Sequence, residues 1–367
     1  MVDNKIYYIV NWGKNKERAW SGTNYALYKA LKGLLDVEDI NTYDISTRSF
    51  IEKIFKNITH NYNDFGLSDI RKTQRYVENY INSNGKAPVF QFSEVMFDSP
   101  NLPTYIYQDL SVSYVKFMCE KNPSIFKVSG FGHIKKRYIE KREKLQMDYY
   151  GNCKGIFTMG QWLRKDLVER CGIPADKVHH AGGGINVDKN LINPQNKTGN
   201  KILFIGRNFR RKGGYQVFEA FKILKKDIPN LELYIAGPSS NPIETPMEGY
   251  HYLGDCTHKE LSDLFNKCDI FCMPSYFEAY GLVFIEALAY GLPCIGRDAY
   301  EMPYFIEDNE TGFLLKHDDV SELCTLISKL LKDERIKNNV LKKQDWYIKE
   351  YSWEAVANRI NNIINNN

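Results

Sequence analysis

Short, nearly unbroken apolar runs recur along this chain, separated by longer stretches with helical spacing. Runs of this kind fall over 6–10, 88–92, 104–107, 155–159 and 178–181, and again over 201–205, 231–236, 250–253, 269–273 and 294–296. Strands that short, with no polar alternation, are covered on both faces, which is the habit of parallel sheets flanked by helices. Between 193 and 200 the composition turns to Asn, Pro, Gln, Lys and Gly, and the pattern stops before starting afresh. The spacing therefore predicts an α/β chain with two Rossmann-like domains facing a cleft, the first over 1–190 and the second over 201–346. At 367 residues each has enough chain to bury its own core.

Charge and cysteine content narrow the class. The net charge is only +4 and no long basic tract occurs, so a nucleic-acid partner is not expected. The 8 cysteines are scattered with no Cys-x-x-Cys pair, which favours a reducing, cytoplasmic setting over zinc or a disulfide framework. Cys268 and Cys272 fall in a strand-like run, where they would share a face. Residues 1–5 lead straight into the first strand without a signal-peptide pattern, and no apolar run approaches the roughly 20 residues that span a bilayer.

The stretch Pro274-Ser-Tyr-Phe-Glu-Ala-Tyr-Gly-Leu-Val-Phe-Ile-Glu-Ala-Leu-Ala-Tyr-Gly-Leu-Pro293 carries most of the chemistry. A strand precedes it, and a helix over 282–290 is stopped by Gly291 and Pro293. Glu278 and Glu286 sit in otherwise apolar surroundings, where an unpaired carboxylate is costly. The N–H groups of Tyr280, Gly281 and Leu282 would open the helix as an anion site, and Gly281 lets a ligand approach the backbone. A nucleotide sugar suits this spacing: phosphate at the helix end, hydroxyls at both carboxylates. Upstream, Gly206-Arg-Asn-Phe-Arg-Arg-Lys-Gly213 follows a strand and precedes a helix. Arg207 and Lys212 form a diphosphate clamp in this reading, with Arg210 and Arg211 as solvated loop charges. No Asp-x-Asp motif for a donor metal occurs in a suitable loop, so neither metal nor cofactor is expected.

Three sites are less distinctive. Ser21 reads as the N-cap of a helix over 22–33. Asp109, beside Gln108, ends a strand at the edge where open α/β sheets gather ligands, although capping a helix over 111–118 explains it equally well. Over 133–145 six Lys and Arg residues accompany Ile134, Tyr138 and Leu145 on one helical face. That is a solvated helix packed on the core, with peripheral membrane contact as the other reading.

The Glu-x7-Glu stretch, with Ser275, Ala287, Gly291 and Pro293 in place, closely resembles the motif of retaining glycosyltransferases of family 4, which have the GT-B fold. The Gly-Arg-x4-Lys-Gly spacing matches the same family. The resemblance is dense over 201–364 and mainly topological before that. It implies that Glu278 contacts the donor sugar and Glu286 the ribose. Gly206, Arg207 and Lys212 would then hold the diphosphate together with Ala279, Tyr280, Gly281 and Leu282. It places the nucleotide base against the turn at Gly254, and it puts a catalytic-region His or Asp near Asp109. The family's glycine-rich turn after the first strand carries over only at Gly22. Gly182-Gly-Gly184 resembles the turn closing the first domain, and 310–315 resembles an Asn-Gly-Leu hairpin. The last helix, within 347–367, would return to the first domain. The implied activity is metal-independent, retaining transfer of a sugar from a UDP- or GDP-linked donor to a saccharide, glycolipid or protein-linked acceptor. The implied location is cytoplasmic, with contact at the inner face of the membrane through 133–145 as an option. Two other readings stand beside it: a non-catalytic partner of the same fold, and a dinucleotide-dependent oxidoreductase. The latter would want Gly-x-Gly-x-x-Gly where the chain reads Asn11-Trp-Gly-Lys14.

Overall fold

The computed structural model describes residues 5–46, 64–193, 199–245 and 247–366. Most of the linker read over 193–200, and the polar stretch 47–63, lie outside them. The chain forms two compact units, Met1–Gly184 with Trp353–Asn367, and Ile185–Ser352. Residue 347, where the returning segment was expected to begin, lies in a helix of the second unit, Gln344–Glu350.

The first unit holds six parallel strands: β1 (Lys5–Val10), β2 (Asp36–Asn41), β3 (Val89–Phe92), β4 (Thr104–Gln108), β5 (Gly155–Thr158) and β6 (Val178–His180). Their order is β2-β1-β3-β4-β5-β6, so the winding reverses between β1 and β3. Tyr7 of β1 pairs with Glu38 on one side and Val89 on the other. The helices that matter are α1 (Thr23–Lys32), α2 (Leu67–Asn84), α3 (Val112–Lys121), α4 (Lys136–Asn152) and α5 (Gln161–Glu169). In α2, Thr73, Val77 and Ile81 recur every fourth residue and form its buried stripe. Val77 and Ile81 meet Tyr7, Ile9, Ile40, Val89 and Phe97 in one core cluster.

The second unit repeats the plan with β7 (Lys201–Ile205), β8 (Glu232–Ala236), β9 (Tyr250–Gly254), β10 (Ile270–Cys272), β11 (Cys294–Arg297) and β12 (Gly312–Leu315). The order is β12-β11-β10-β7-β8-β9, with the reversal between β7 and β10. Its helices include α6 (Gly214–Leu224), α7 (His258–Lys267), α8 (Leu282–Ala289), α9 (Val320–Lys332), α10 (Glu334–Lys342) and α11 (Gln344–Glu350). Thr257 and Glu260 form a reciprocal capping box on α7, each accepting from the other's backbone N–H.

Three expectations are corrected here. The segment 310–315 is no hairpin, because β12 pairs parallel with β11, Ile295 facing Phe313. Cys268 precedes β10 rather than sharing its face with Cys272, although both thiols are buried and free. In α4 the buried face includes Arg142 and Tyr138, whereas Leu145 is exposed. Lys136 pairs with Glu120 at 2.9 Å and Glu143 with Lys116 at 2.6 Å, so part of this helix's charge is satisfied locally. Among the described residues no helix is long and apolar enough to cross a membrane.

The last helix, α12 (Trp353–Asn366), completes the first unit and packs on α1. It buries Trp353, Val356, Ala357 and Ile360, and Arg359 Nε donates to Ala181 O at 2.7 Å. The triple glycine makes this possible. A Cβ on Gly184 would lie 2.5 Å from Trp353 Cδ2. Gly184→Val should therefore destabilise the protein by about 1–3 kcal/mol, the usual cost of overpacking. Gly151→Ala, in α4 with nothing near its missing Cβ, should stay within about 0.5 kcal/mol. Urea unfolding checks this, and equal midpoints for Gly184→Val and wild type would contradict the packing.

Candidate functional site

In the second unit, the loops after β7 and β10 meet at the reversal of strand order, where open parallel sheets leave a crevice beyond their carboxyl ends. The β7 loop is folded on itself. Arg211 N donates to Asn208 Oδ1 at 3.0 Å, Lys212 N to Asn208 O at 3.0 Å, and Gly214 N to Phe209 O at 2.8 Å. Phe209 is buried edge-to-face between Phe204 and Tyr215, at 5.2 and 4.9 Å. Tyr276 N donates to Arg211 O at 2.9 Å, which ties the two loops backbone to backbone.

Lys212 and Glu278 form an ion pair across that junction. Both are largely buried, and burial lowers the Lys212 pKa against the opposing pull of Glu278. Ser275 Oγ reaches Glu278 Oε2 at 3.4 Å. Gly281, with φ 94°, sits at the N-cap of α8, and a Cβ there would lie 3.1 Å from Glu278 Cγ. The helix thus opens directly against the glutamate. Tyr280 is buried edge-to-face on Phe305 at 5.1 Å, while Ala279 and Leu282 are half-buried.

Arg211 corrects the sequence reading. Its side chain is only 20% exposed, donates to Phe277 O at 2.6 Å and lies 3.7 Å from Glu278. Two cations therefore flank one carboxylate. Arg297, at the end of β11, was missed altogether. It stacks on Tyr276 at 4.5 Å and donates to Ser275 O at 3.2 Å, Gln216 Oε1 at 3.0 Å and Asp318 Oδ1 at 3.1 Å. The only hint of either was position, next to Lys212 and at a strand's carboxyl end.

Of the remaining candidates, Gly206 touches the junction, since a Cβ there would lie 2.8 Å from Lys212 Cγ. Arg207 is 78% exposed and pairs with Asp255 at 3.4 Å, next to Gly254, which ends β9 with φ 69°. Gly206 N donates to Ala236 O at 2.8 Å. Glu286, half-buried on α8, accepts from Asn186 N at 3.1 Å. In the first unit, Gly22 takes the N-cap position of α1 expected of Ser21, with φ 88°. Asp109 follows β4 half-buried, and the cap of α3 is Ser111, whose hydroxyl accepts from Tyr114 N at 3.0 Å. The capping role proposed for Asp109 is therefore excluded.

Burial raises the Glu286 carboxyl from 4.5 to about 7, with Asn186 N pulling the other way. The fold thus favours the neutral acid. Its stabilising contribution is complete below pH 4.5 and lost as pH rises through about 7. The melting temperature of wild type relative to Glu286→Gln should fall between pH 5 and pH 8 by this linkage. A constant difference would show that the carboxyl titrates normally.

Residues 188–345 match the family model described as glycosyl transferases group 1. A D-inositol 3-phosphate glycosyltransferase of Corynebacterium kroppenstedtii is 27% identical over 177 residues, 44% of this chain and 39% of that protein. A sulfoquinovosyl transferase of Arabidopsis thaliana is 29% identical over 216 residues, 54% of this chain and 42% of that one. The chain thus spans about two fifths of the length of these two relatives. Among solved structures, a sucrose-phosphate synthase from Thermosynechococcus elongatus gives a TM-score of 0.71 at 18% identity, covering 99% of this chain and 98% of that one. WaaG, a glycosyltransferase involved in lipopolysaccharide biosynthesis, gives 0.68 at 15% identity, covering 99% and 100%. These structural likenesses identify the fold as GT-B.

Proposed function

We propose, from the match of residues 188–345 to the group 1 glycosyl transferases and from the GT-B fold, that the protein transfers a sugar from a UDP- or GDP-linked donor to a saccharide, glycolipid or protein-linked acceptor with retention. The observation that carries the reading is the junction of Lys212, Arg211 and Glu278 at the opening of α8.

In this reading the Lys212–Glu278 ion pair gives way to the donor. A donor diphosphate arriving at the α8 N-terminus draws on Lys212, and the Glu278 carboxylate becomes an acceptor for the hydroxyls of the donor sugar. Arg207, reaching from solvent, closes on the outer phosphate, and the turn at Gly254 and Asp255 takes the base. Glu286 accepts from the ribose. Gly206, Ala279, Tyr280 and Leu282 shape the backbone against the donor. As the sugar–phosphate bond breaks, negative charge grows on the leaving diphosphate. Lys212 and the α8 amides, already in place, and Arg207 once it has closed are the positive groups that meet it without a metal ion. The acceptor hydroxyl then attacks the same face of the sugar and its proton passes to the leaving diphosphate, which departs as the nucleoside diphosphate. Asp109 belongs to the acceptor side, and Gly22 to the turn facing the donor phosphates. Peripheral membrane contact through 133–145 would suit a lipid-linked acceptor, although the pairing of Lys136 with Glu120 and of Glu143 with Lys116 supports a solvated helix. A non-catalytic member of the same fold would lack a reason to keep both Lys212 and Glu278.

Because Arg207 is exposed, Arg207→Ala should leave the melting temperature unchanged while weakening UDP or GDP binding by about 1.5–3 kcal/mol, the worth of a hydrogen bond to a charged group. Calorimetry with the diphosphate and with the bare nucleoside checks it, and equal loss for both would remove Arg207 from the clamp. Glu278→Gln should keep diphosphate binding within about 0.5 kcal/mol, yet slow single-turnover transfer at least about tenfold, or ~1.4 kcal/mol of barrier. Normal turnover in that variant would sink the catalytic role.

A further inference from the structure

Between β10 and α8 the chain runs over 273–281 outside any helix or strand, and guanidinium groups hold three of its carbonyls. From the β7 side, Arg211 Nη1 donates to Phe277 O at 2.6 Å. From the β11 side, Arg297 Nε donates to Ser275 O at 3.2 Å and Nη2 to Pro274 O at 3.3 Å. Since β7 and β11 are the two neighbours of β10 in the sheet, the loop that carries Glu278 is gripped from both flanks.

Arg297 is itself fixed. Its side chain is 14% exposed and lies over the Tyr276 ring at 4.5 Å. Nη2 also reaches Gln216 Oε1 at 3.0 Å and Asp318 Oδ1 at 3.1 Å, and Gln216 Nε2 donates to that same Asp318 oxygen at 2.6 Å. These three side chains close a triangle between the first turn of α6, the end of β11 and the segment before α9. A guanidinium suits the place because its planar fork meets several acceptors at fixed angles, as a single ammonium cannot. Engaged in this way, and far less exposed than Arg207, it bears on the loop rather than on a ligand.

A second contact joins the same two loops. Tyr300, after β11, is held at φ 56°, a left-handed conformation uncommon for a residue with a side chain. Its ring meets buried Phe277 edge-on at 5.2 Å, immediately before Glu278. The Glu278 carboxylate itself meets Lys212, Arg211 and Ser275 Oγ. Ser275 is the link: its carbonyl is on Arg297 and its hydroxyl is 3.4 Å from Glu278 Oε2.

We propose that Arg297 is a positioning residue: through Pro274 and Ser275 it fixes the loop so that the Glu278 carboxylate stands at the opening of α8, without touching the donor itself. The value of that hold for turnover rests on the transfer reading above; the hold on the loop does not.

The test uses the full chain and Arg297→Lys, which keeps the charge and loses the fork. The donors are UDP-glucose, UDP-galactose, UDP-N-acetylglucosamine and GDP-mannose, with methyl glycosides of the common hexoses or water as acceptor. Single-turnover transfer should slow by about tenfold or more, while calorimetric UDP and GDP affinities stay within about twofold. In a Glu278→Gln background the same substitution should cost less than about twofold, because no carboxylate is left to place. Hydrogen exchange over 274–280 should quicken by about tenfold in Arg297→Lys, with the first unit unchanged. Asp318→Ala, at an exposed position, weakens the same fork from outside and should show the same pattern at about threefold; it carries the test if Arg297→Lys fails to fold. Equal losses with and without the Glu278 carboxylate, a matching loss of nucleotide affinity, or unchanged exchange over 274–280 would each overturn the proposal. Wild type that transfers from none of these donors removes the transfer reading instead, and exchange over 274–280 alone then decides whether Arg297 fixes the loop.

Discussion

A buried ammonium and a buried carboxylate each cost several kcal/mol to hold out of water, and neither Lys212 nor Glu278 would be tolerable here without the other. Their pairing draws the β7 loop onto the β10 loop, and Arg211 and Ser275 approach the same carboxylate oxygen, Oε2. The geometry of the second unit's ligand edge follows from that contact. Gly281 is held at φ 94°, where a side chain is strained, and a Cβ there would also crowd Glu278 as α8 begins. An incoming anion meets cations whose positions are already fixed, so little reorganisation is left for the moment of binding.

Both units place their chemistry by the same topological rule and give it opposite character. At the β7–β10 reversal, cations outnumber the carboxylate they surround. At the β1–β3 reversal the walls of the crevice carry Asp69 and Glu94, and the guanidinium of Arg142 is already paired with Glu94. The difference lies in side chains on equivalent loops, which is how one backbone plan serves unlike ligands.

The sheets were readable from sequence because parallel strands buried on both faces appear as apolar runs, and β1, β3, β4, β7, β8 and β10 lie where the runs fall. Glu278, Lys212 and Gly281 were readable because their motif is local. What escaped depended on partners far along the chain. Arg142 looked like one more charge on a basic helix, since Glu94, which it engages, is 48 residues away. Arg211 looked solvated because Phe277, whose carbonyl it reaches, is 66 residues on. The 310–315 segment was read as a hairpin from its resemblance to a family turn, which says nothing of its parallel pairing with β11.

The return of α12 has a consequence for how the chain is made. Residues 1–184 acquire the helix that covers α1 only after residues 185–352, a self-contained unit, have been synthesised. At about 5–20 residues per second, the gap lasts on the order of ten seconds or more. Throughout it, the surface meant for Trp353, Val356 and Ile360 stays uncovered, while the later half is free to fold first. The order of completion thus runs against the order of translation, and this interval is where a chaperone would have most to do.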